Sequence, residues 1–255
     1  MIRDLILSEN EELTVVNENI KLIQRKNGLT FGTDAFLLAA YIKAQRNGAA
    51  VELGGGTGII SLLCASREKF KTVYCVEIQE DFADIISRNA ELNLFDKKVI
   101  SLYRDVRELK SSDIGFEVDA VFSNPPYMKA DSGKRNEHDE KFIARHEVCG
   151  GIYDFCAAAR RLLKHGGYFY CVWRPDRLTD LICAMRDNSL EPKEMCFVHA
   201  NTMSAPSMVL VKAKKGAAAG VSVCEPLFLN LDSNPKELTQ RAKKIYEECN
   251  FNEGT

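Results

Sequence analysis

Apolar and polar positions change their spacing repeatedly along the 255-residue chain. Residues 14–24, TVVNENIKLIQ, hold two short β-leaning runs around Asn17-Glu18-Asn19, which predicts a hairpin. Ala49–Leu53, Thr72–Glu77, Lys98–Tyr103, Val118–Ser123 and Tyr168–Trp173 read as strands. Between them the spacing becomes helical. Ile59, Leu62 and Leu63 share a face, as do Phe82, Ile85 and Ile86. The same spacing recurs in Phe155, Ala158, Ala159, Leu162 and Leu163, and again in Leu178, Leu181, Ile182 and Met185. Gly166-Gly167 is expected to stop the first of these two helices. Strands alternating with helices predict an α/β, doubly wound, mostly parallel open sheet. Pro192–His199 and Ser207–Lys212 then predict an antiparallel edge hairpin, and Lys214–Gly220 a flexible connection. From Asn230 the chain is polar and charged.

Composition narrows the reading. A chain that is 45% hydrophobic and 27% charged has enough apolar surface for a core of its own. With a net charge of -2, a protein that coats nucleic acid through bulk charge is excluded, so any such contact rests on a local patch. Nine cysteines, an odd number with no C-x-x-C, read as free thiols of a reducing compartment. The longest apolar run, Ala35 to Ile42, is too short to span a bilayer, and the N-terminus lacks a signal-peptide core. A cytoplasmic protein, monomeric and without membrane contact, is expected. His138, His165 and His199 have no metal-like spacing, so no metal is expected.

Two loops carry the chemistry. Glu52-Leu53-Gly54-Gly55-Gly56-Thr57-Gly58 follows a strand and opens a helix, and Glu77 ends the next strand. Glycines let backbone approach a ligand, and an acidic side chain at position 77 can accept from ribose hydroxyls. Dinucleotides and S-adenosylmethionine both fit such a site. The dinucleotide fingerprint wants glycine where Ile59 stands, and a carboxylate at Glu52 suits a sulfonium better than a pyrophosphate. At the end of a later strand lies Asn124-Pro125-Pro126-Tyr127. Two acceptors, the Asn124 side-chain oxygen and the Pro125 carbonyl, can hold both N–H groups of a conjugated amine and aim its lone pair at a methyl donor. The prolines rigidify the turn, and Tyr127 offers a stacking face. Thr33 and Asp34 open a helix and read either as a cap or as a ligand contact. Arg145-His146-Glu147 follows a polar stretch of both charge signs, Lys129–Lys141, which reads as a solvated loop or as a lid over nucleic acid with Arg145 on phosphate.

Together the glycine loop, Glu77, Asp105 and Asn124–Tyr127 resemble class I S-adenosylmethionine-dependent methyltransferases that modify amino groups. Phe31–Leu38 and Ala144–Glu147 are similar to the tRNA adenine-N6 methyltransferase group acting on a valine tRNA. The resemblance implies a Rossmann-like sheet of seven strands over residues 31–230, with a hairpin extension at 1–30 and a polar tail at 231–255. It implies that Gly54, Gly56 and Gly58 shape the cofactor loop, with Glu52, Thr33 and Asp34 near the methionine end, Glu77 on the ribose and Asp105 on the adenine amine. Asn124, Pro125, Pro126 and Tyr127 would carry catalysis. Tyr127, Arg145 and His146 would contact a structured RNA, most plausibly tRNA. Gly55 departs from the bulkier residue that relatives often carry. A protein glutamine-N5 methyltransferase, an rRNA amino methyltransferase and a non-catalytic binding module are the alternatives.

Overall fold

The computed structural model describes residues 7–26, 32–125 and 151–251. In chain order the elements are β1 (Glu11–Asn17), β2 (Ile20–Arg25), α1 (Thr33–Tyr41), β3 (Gln45–Leu53), α2 (Ile59–Ser66), β4 (Phe70–Glu77), α3 (Glu80–Leu92), β5 (Val99–Tyr103), α4 (Ser111–Ile114) and β6 (Val118–Ser123). They continue with α5 (Ile152–Leu162), β7 (Leu163–Trp173), α6 (Leu178–Asp187), β8 (Leu190–His199), β9 (Pro206–Lys215), β10 (Ser222–Val223), β11 (Leu227–Phe228), β12 (Asn230–Leu231), β13 (Asn234–Leu238) and α7 (Gln240–Glu248).

The main sheet runs β5-β4-β3-β6-β7-β9-β8, parallel except for β9, which is antiparallel to both neighbours. From β3 the chain winds one way through β4 and β5 and the other way through β6 and β7. The carboxyl ends of β3 and β6 therefore lie side by side, with Glu52 opposite Phe122, where the connecting loops part. Ligands of open α/β sheets bind at such a switch point. Apolar side chains alternate between the two faces. Leu37, Leu62, Phe122 and Tyr170 are buried on one side, under α1, α2 and α7. Val51, Leu53, Phe155, Phe169 and Trp173 are buried on the other, under α5 and α6.

Four expectations need correction. The sheet has nine strands rather than seven, because β10 and β11 each add two residues in parallel to the outer edge of β8. The C-terminal pair forms as expected, but β9 lies inside, between β7 and β8, and Lys214 and Lys215 extend it instead of forming a flexible connection. Gly166-Gly167 does not stop a helix. Helix α5 has already ended at Leu162, and the glycines lie in β7, where Val118↔Leu163 and Ala120↔Tyr168 leave residues 164–167 bulged. A Cβ on Gly167 would come within 3.0 Å of the Asp119 carbonyl, so glycine is there for close backbone approach. Finally, the segment read as a polar tail carries α7, which packs on α1. Ala242, Ile245, Cys249 and Phe251 are buried; the first three stand at helical spacing, but charged neighbours hide it in the sequence.

The N-terminal hairpin pairs β1 with β2 and docks on α3 through two amides. Asn89, fully buried, accepts from Ile23 N at 2.6 Å and donates to Ile23 O at 3.0 Å and Thr57 O at 2.9 Å. One helical turn on, Asn93 accepts from Lys21 N at 2.9 Å and donates to Lys21 O at 2.7 Å. Among the described residues no helix is long and apolar enough to cross a membrane.

Candidate active site

In the loop after β3 three glycines take left-handed backbone, Gly54 at φ 73, Gly56 at φ 55 and Gly58 at φ 79. Side chains rarely tolerate that conformation. Gly54 N and Gly55 N both donate to Val76 O, at 2.9 and 3.0 Å, which ties the loop to the end of β4. A Cβ on Gly56 would meet nothing within 4 Å, so the loop opens to a ligand there. A Cβ on Gly55 would overlap the Cys75 sulfur. The departure noted at Gly55 is thus matched by the thiol that fills the space.

Glu77, 5% exposed, holds the loop from the side. Its Oε2 accepts from Gly56 N at 2.9 Å, and Oε1 accepts from Ile78 N and Gln79 N at 2.9 and 3.0 Å. Burial raises its pKa, and these N–H donors oppose the rise. Oε2 keeps a lone pair for a further donor. Glu52 is placed differently. At 1% exposure it accepts from Ser61 N at 3.0 Å, from the Ser61 hydroxyl and from Cys75 Sγ at 3.4 Å. It braces the start of α2, and the structure does not bring it to the open side of the loop.

Asp105 accepts from Arg107 N at 2.9 Å and from Arg107 Nε, and the guanidinium holds its carboxyl below the usual range. Its loop is pinned by Arg161, which donates to Val106 O at 2.8 Å, Leu109 O at 3.1 Å and Arg107 O at 3.2 Å. Arg104 N donates to Glu77 O, joining this loop to the second strand end.

Asn124 follows β6. Its Nδ2 donates to Asp34 Oδ2 at 2.8 Å. Its Oδ1 is buried and finds no hydrogen-bond donor among the described residues. An orphaned acceptor of this kind costs free energy unless a ligand supplies the proton. Just before it, the Ser123 hydroxyl donates to Leu53 O at 2.7 Å and fastens the ends of β6 and β3 together. Gly32, not Thr33, is the N-cap of α1. Asp34 stands in the first turn, its Oδ1 accepting from Ala35 N at 2.9 Å, and Phe36 of the same helix lies against Tyr246 of α7.

The structure therefore brings Gly54, Gly56, Gly58, Glu77, Asp34 and Asn124 to one rim. Pro126, Tyr127, Arg145 and His146 lie outside the described residues, as does the stretch read as a lid. Beyond Asp34 a cleft of about 640 Å³ opens, lined among others by Thr33, Trp173, Arg174, Pro206 and Met208. It lies over the ends of β7 and β9 rather than over the glycine loop. Sequence reasoning missed Ser123, Asn89 and this cleft. Ser123 alone had a signal, its place beside Asn124. Among the described residues no group of acidic, histidine or cysteine side chains could hold a metal.

Residues 25–180 match the family model described as "Methyltransferase small domain". Two relatives carry the name tRNA1(Val) (adenine(37)-N6)-methyltransferase. That of Dyadobacter fermentans is 28% identical over 144 residues, which span 56% of this chain and 58% of the relative. That of Parabacteroides distasonis is 27% identical over 229 residues, spanning 87% and 92%. A solved structure described as a predicted O-methyltransferase from Agrobacterium tumefaciens superposes with a TM-score of 0.70 at 22% identity, covering 86% of this chain and 97% of that one, a likeness of fold.

Proposed function

The chain belongs to the methyltransferase small domain family, and from that premise we propose that it methylates adenine N6 in a structured RNA, most plausibly tRNA, with S-adenosylmethionine as donor, as a cytoplasmic monomer. The observation that carries the reading is the buried, unpaired Asn124 Oδ1 beside an open glycine loop. The names of the two relatives support the choice of RNA.

The site's residues fit the donor. Gly54–Gly58 would let its backbone lie close, and Glu77 Oε2 would accept from a ribose hydroxyl. Asp105 would turn from Arg107 to the adenine amine. Bound there, S-adenosylmethionine supplies a methyl group on a positively charged sulfur that leaves as a neutral thioether. Asn124 Oδ1 would accept one N–H of the target amine and the Pro125 carbonyl the other. Held in this way, the nitrogen bends toward tetrahedral geometry and its lone pair points at the methyl group. The N–C bond forms as the S–C bond breaks, and the nitrogen, made acidic by methylation, releases its proton to water. No strong base is needed. A stacked adenine cannot present its amine at this rim, so the base must be unpaired or extruded, and the cleft beyond Asp34 provides room.

The test is incubation with unmodified tRNA and labelled donor, followed by nucleoside digestion. N6-methyladenosine is expected. Label in protein as methylglutamine, with none in any RNA fraction, would overturn the choice of substrate.

A further inference from the structure

The two ends of a carboxamide are nearly the same size, yet one accepts hydrogen bonds and the other donates two. Rotated by half a turn, Asn124 would present N–H groups to the N–H groups of an incoming amine and repel it. Something must select the productive end before the acceptor arrives. We propose that Asp34 is this positioning residue, an assignment that rests on the amine-methylation reading above. A carboxylate only accepts, so Asp34 Oδ2 at 2.8 Å can bind Nδ2 and not Oδ1. The opposite end, Oδ1, is left buried and free. A charge-assisted bond to Nδ2 also polarises the amide and enriches Oδ1 in electron density.

Asp34 is itself held. Its other oxygen accepts from Ala35 N at 2.9 Å, within the first turn of α1. That turn is braced from outside by α7, where the Tyr246 ring lies 5.6 Å from the Phe36 ring, centroid to centroid. Asn124 is fixed on its own side by the Ser123 bond to Leu53. The C-terminal helix, α1 and the β6 turn thus form one chain of contacts that ends on the amide orientation. This role differs from the contact with the methionine end of the donor expected for Thr33 and Asp34.

The test compares Asp34→Ala, Asp34→Asn, Asn124→Ala and the double variant Asp34→Ala/Asn124→Ala. Single-turnover methyl transfer to an unmodified valine tRNA transcript is read beside calorimetric titration of S-adenosylmethionine, after thermal melts confirm folding. Asp34→Ala should slow transfer by about 10- to 100-fold, as groups that orient a functional side chain do, with donor affinity within about twofold of wild type. Asp34→Asn should recover little of the rate, because one amide oxygen cannot accept from both Ala35 N and Asn124 Nδ2 as the carboxylate does, and its N–H2 can bind Asn124 Oδ1 instead. In the Asn124→Ala background the loss of Asp34 should cost nothing further, since it acts through the missing amide. A drop in donor affinity, or losses that add in the double variant, would overturn the assignment. A readout independent of any acceptor is the hydrogen exchange of the Asn124 side-chain amide by 15N NMR. It should be slow in wild type and fast in Asp34→Ala, and equal rates would overturn the proposal even if tRNA proved not to be the substrate.

Discussion

At the end of β3 the Glu52 carboxyl is pushed up to about 7, chiefly because burial strips the water that would solvate its charge, while bonds from Ser61 and Cys75 oppose the rise. A carboxyl raised in the folded state stabilises the fold fully below its unfolded value near 4.5, and that contribution is lost as pH climbs through about 7. Glu11 has the opposite sign. Hydrogen bonds from Arg88 hold it at about 2, so its contribution is present above about 4.5 and vanishes as pH falls through about 2. Replacing Glu52 by Gln should therefore flatten the stability profile between pH 4.5 and 7 and leave the acid limb alone. Between pH 5 and 8 the variant should gain roughly 1–3 kcal/mol on wild type, read by urea denaturation at a series of pH values. Parallel profiles would mean that Glu52 is ionised throughout. In the sequence Glu52 and Glu77 look alike, each closing an apolar strand. Their roles separate only in space, because Glu52 turns to Ser61 in α2 and Glu77 to the glycine loop. Spacing alone therefore does not tell a carboxylate that braces the start of α2 from one that holds the glycine loop.

Among the elements, β3, β4 and β6 were legible because central parallel strands are nearly continuous apolar runs with a chemical signature at one end. Helix ends were less so, and α1 shows why. Its last carbonyls receive the Lys69 ammonium, which donates to Ala39 O at 2.7 Å, Ala40 O at 3.2 Å and Ile42 O at 2.7 Å while only 5% exposed. A cation at a helix C-terminus suits the dipole there, although burial lowers its pKa. In the sequence Lys69 is one more charge in the turn after α2, and only the tertiary fold shows the cap. Lys69→Met keeps the aliphatic stem and strands the carbonyls. It should cost roughly 2–5 kcal/mol, seen as a lower urea midpoint, and an unchanged midpoint would dismiss the cap. The bulge at Gly166-Gly167 went unread for a similar reason. Two glycines after an apolar helical stripe look the same as a helix stop, and it is the register against β6 that distinguishes them.

Across the whole molecule the site is legible where one strand end carries it and obscure where two distant segments meet. The glycine loop and Asn124 each stand on one strand. The pairing of Asp34 with Asn124 spans 90 residues, and the support from α7 comes from a segment more than 100 residues further on. That helix should matter to the fold as much as to the site. Ile245→Asp puts a charge into the contact with α1 and should lower stability by roughly 2–4 kcal/mol, measured by thermal unfolding; a wild-type melting curve would show that α7 is dispensable. The N-terminal hairpin is coupled by another means. Four residues of helix rise about 6.0 Å and two residues of strand about 6.6 Å, so Asn89 on α3 and Asn93, the cap that follows it, meet Ile23 and Lys21 on β2 like two marks on a vernier scale. One step further the scales would disagree by about 1.2 Å, too much for a third rung, and α3 ends at Leu92. The hairpin is thus metered to a single seat. Because Asn89 also holds Thr57 O, a slip of one residue at the hairpin would be felt as slack in the glycine loop.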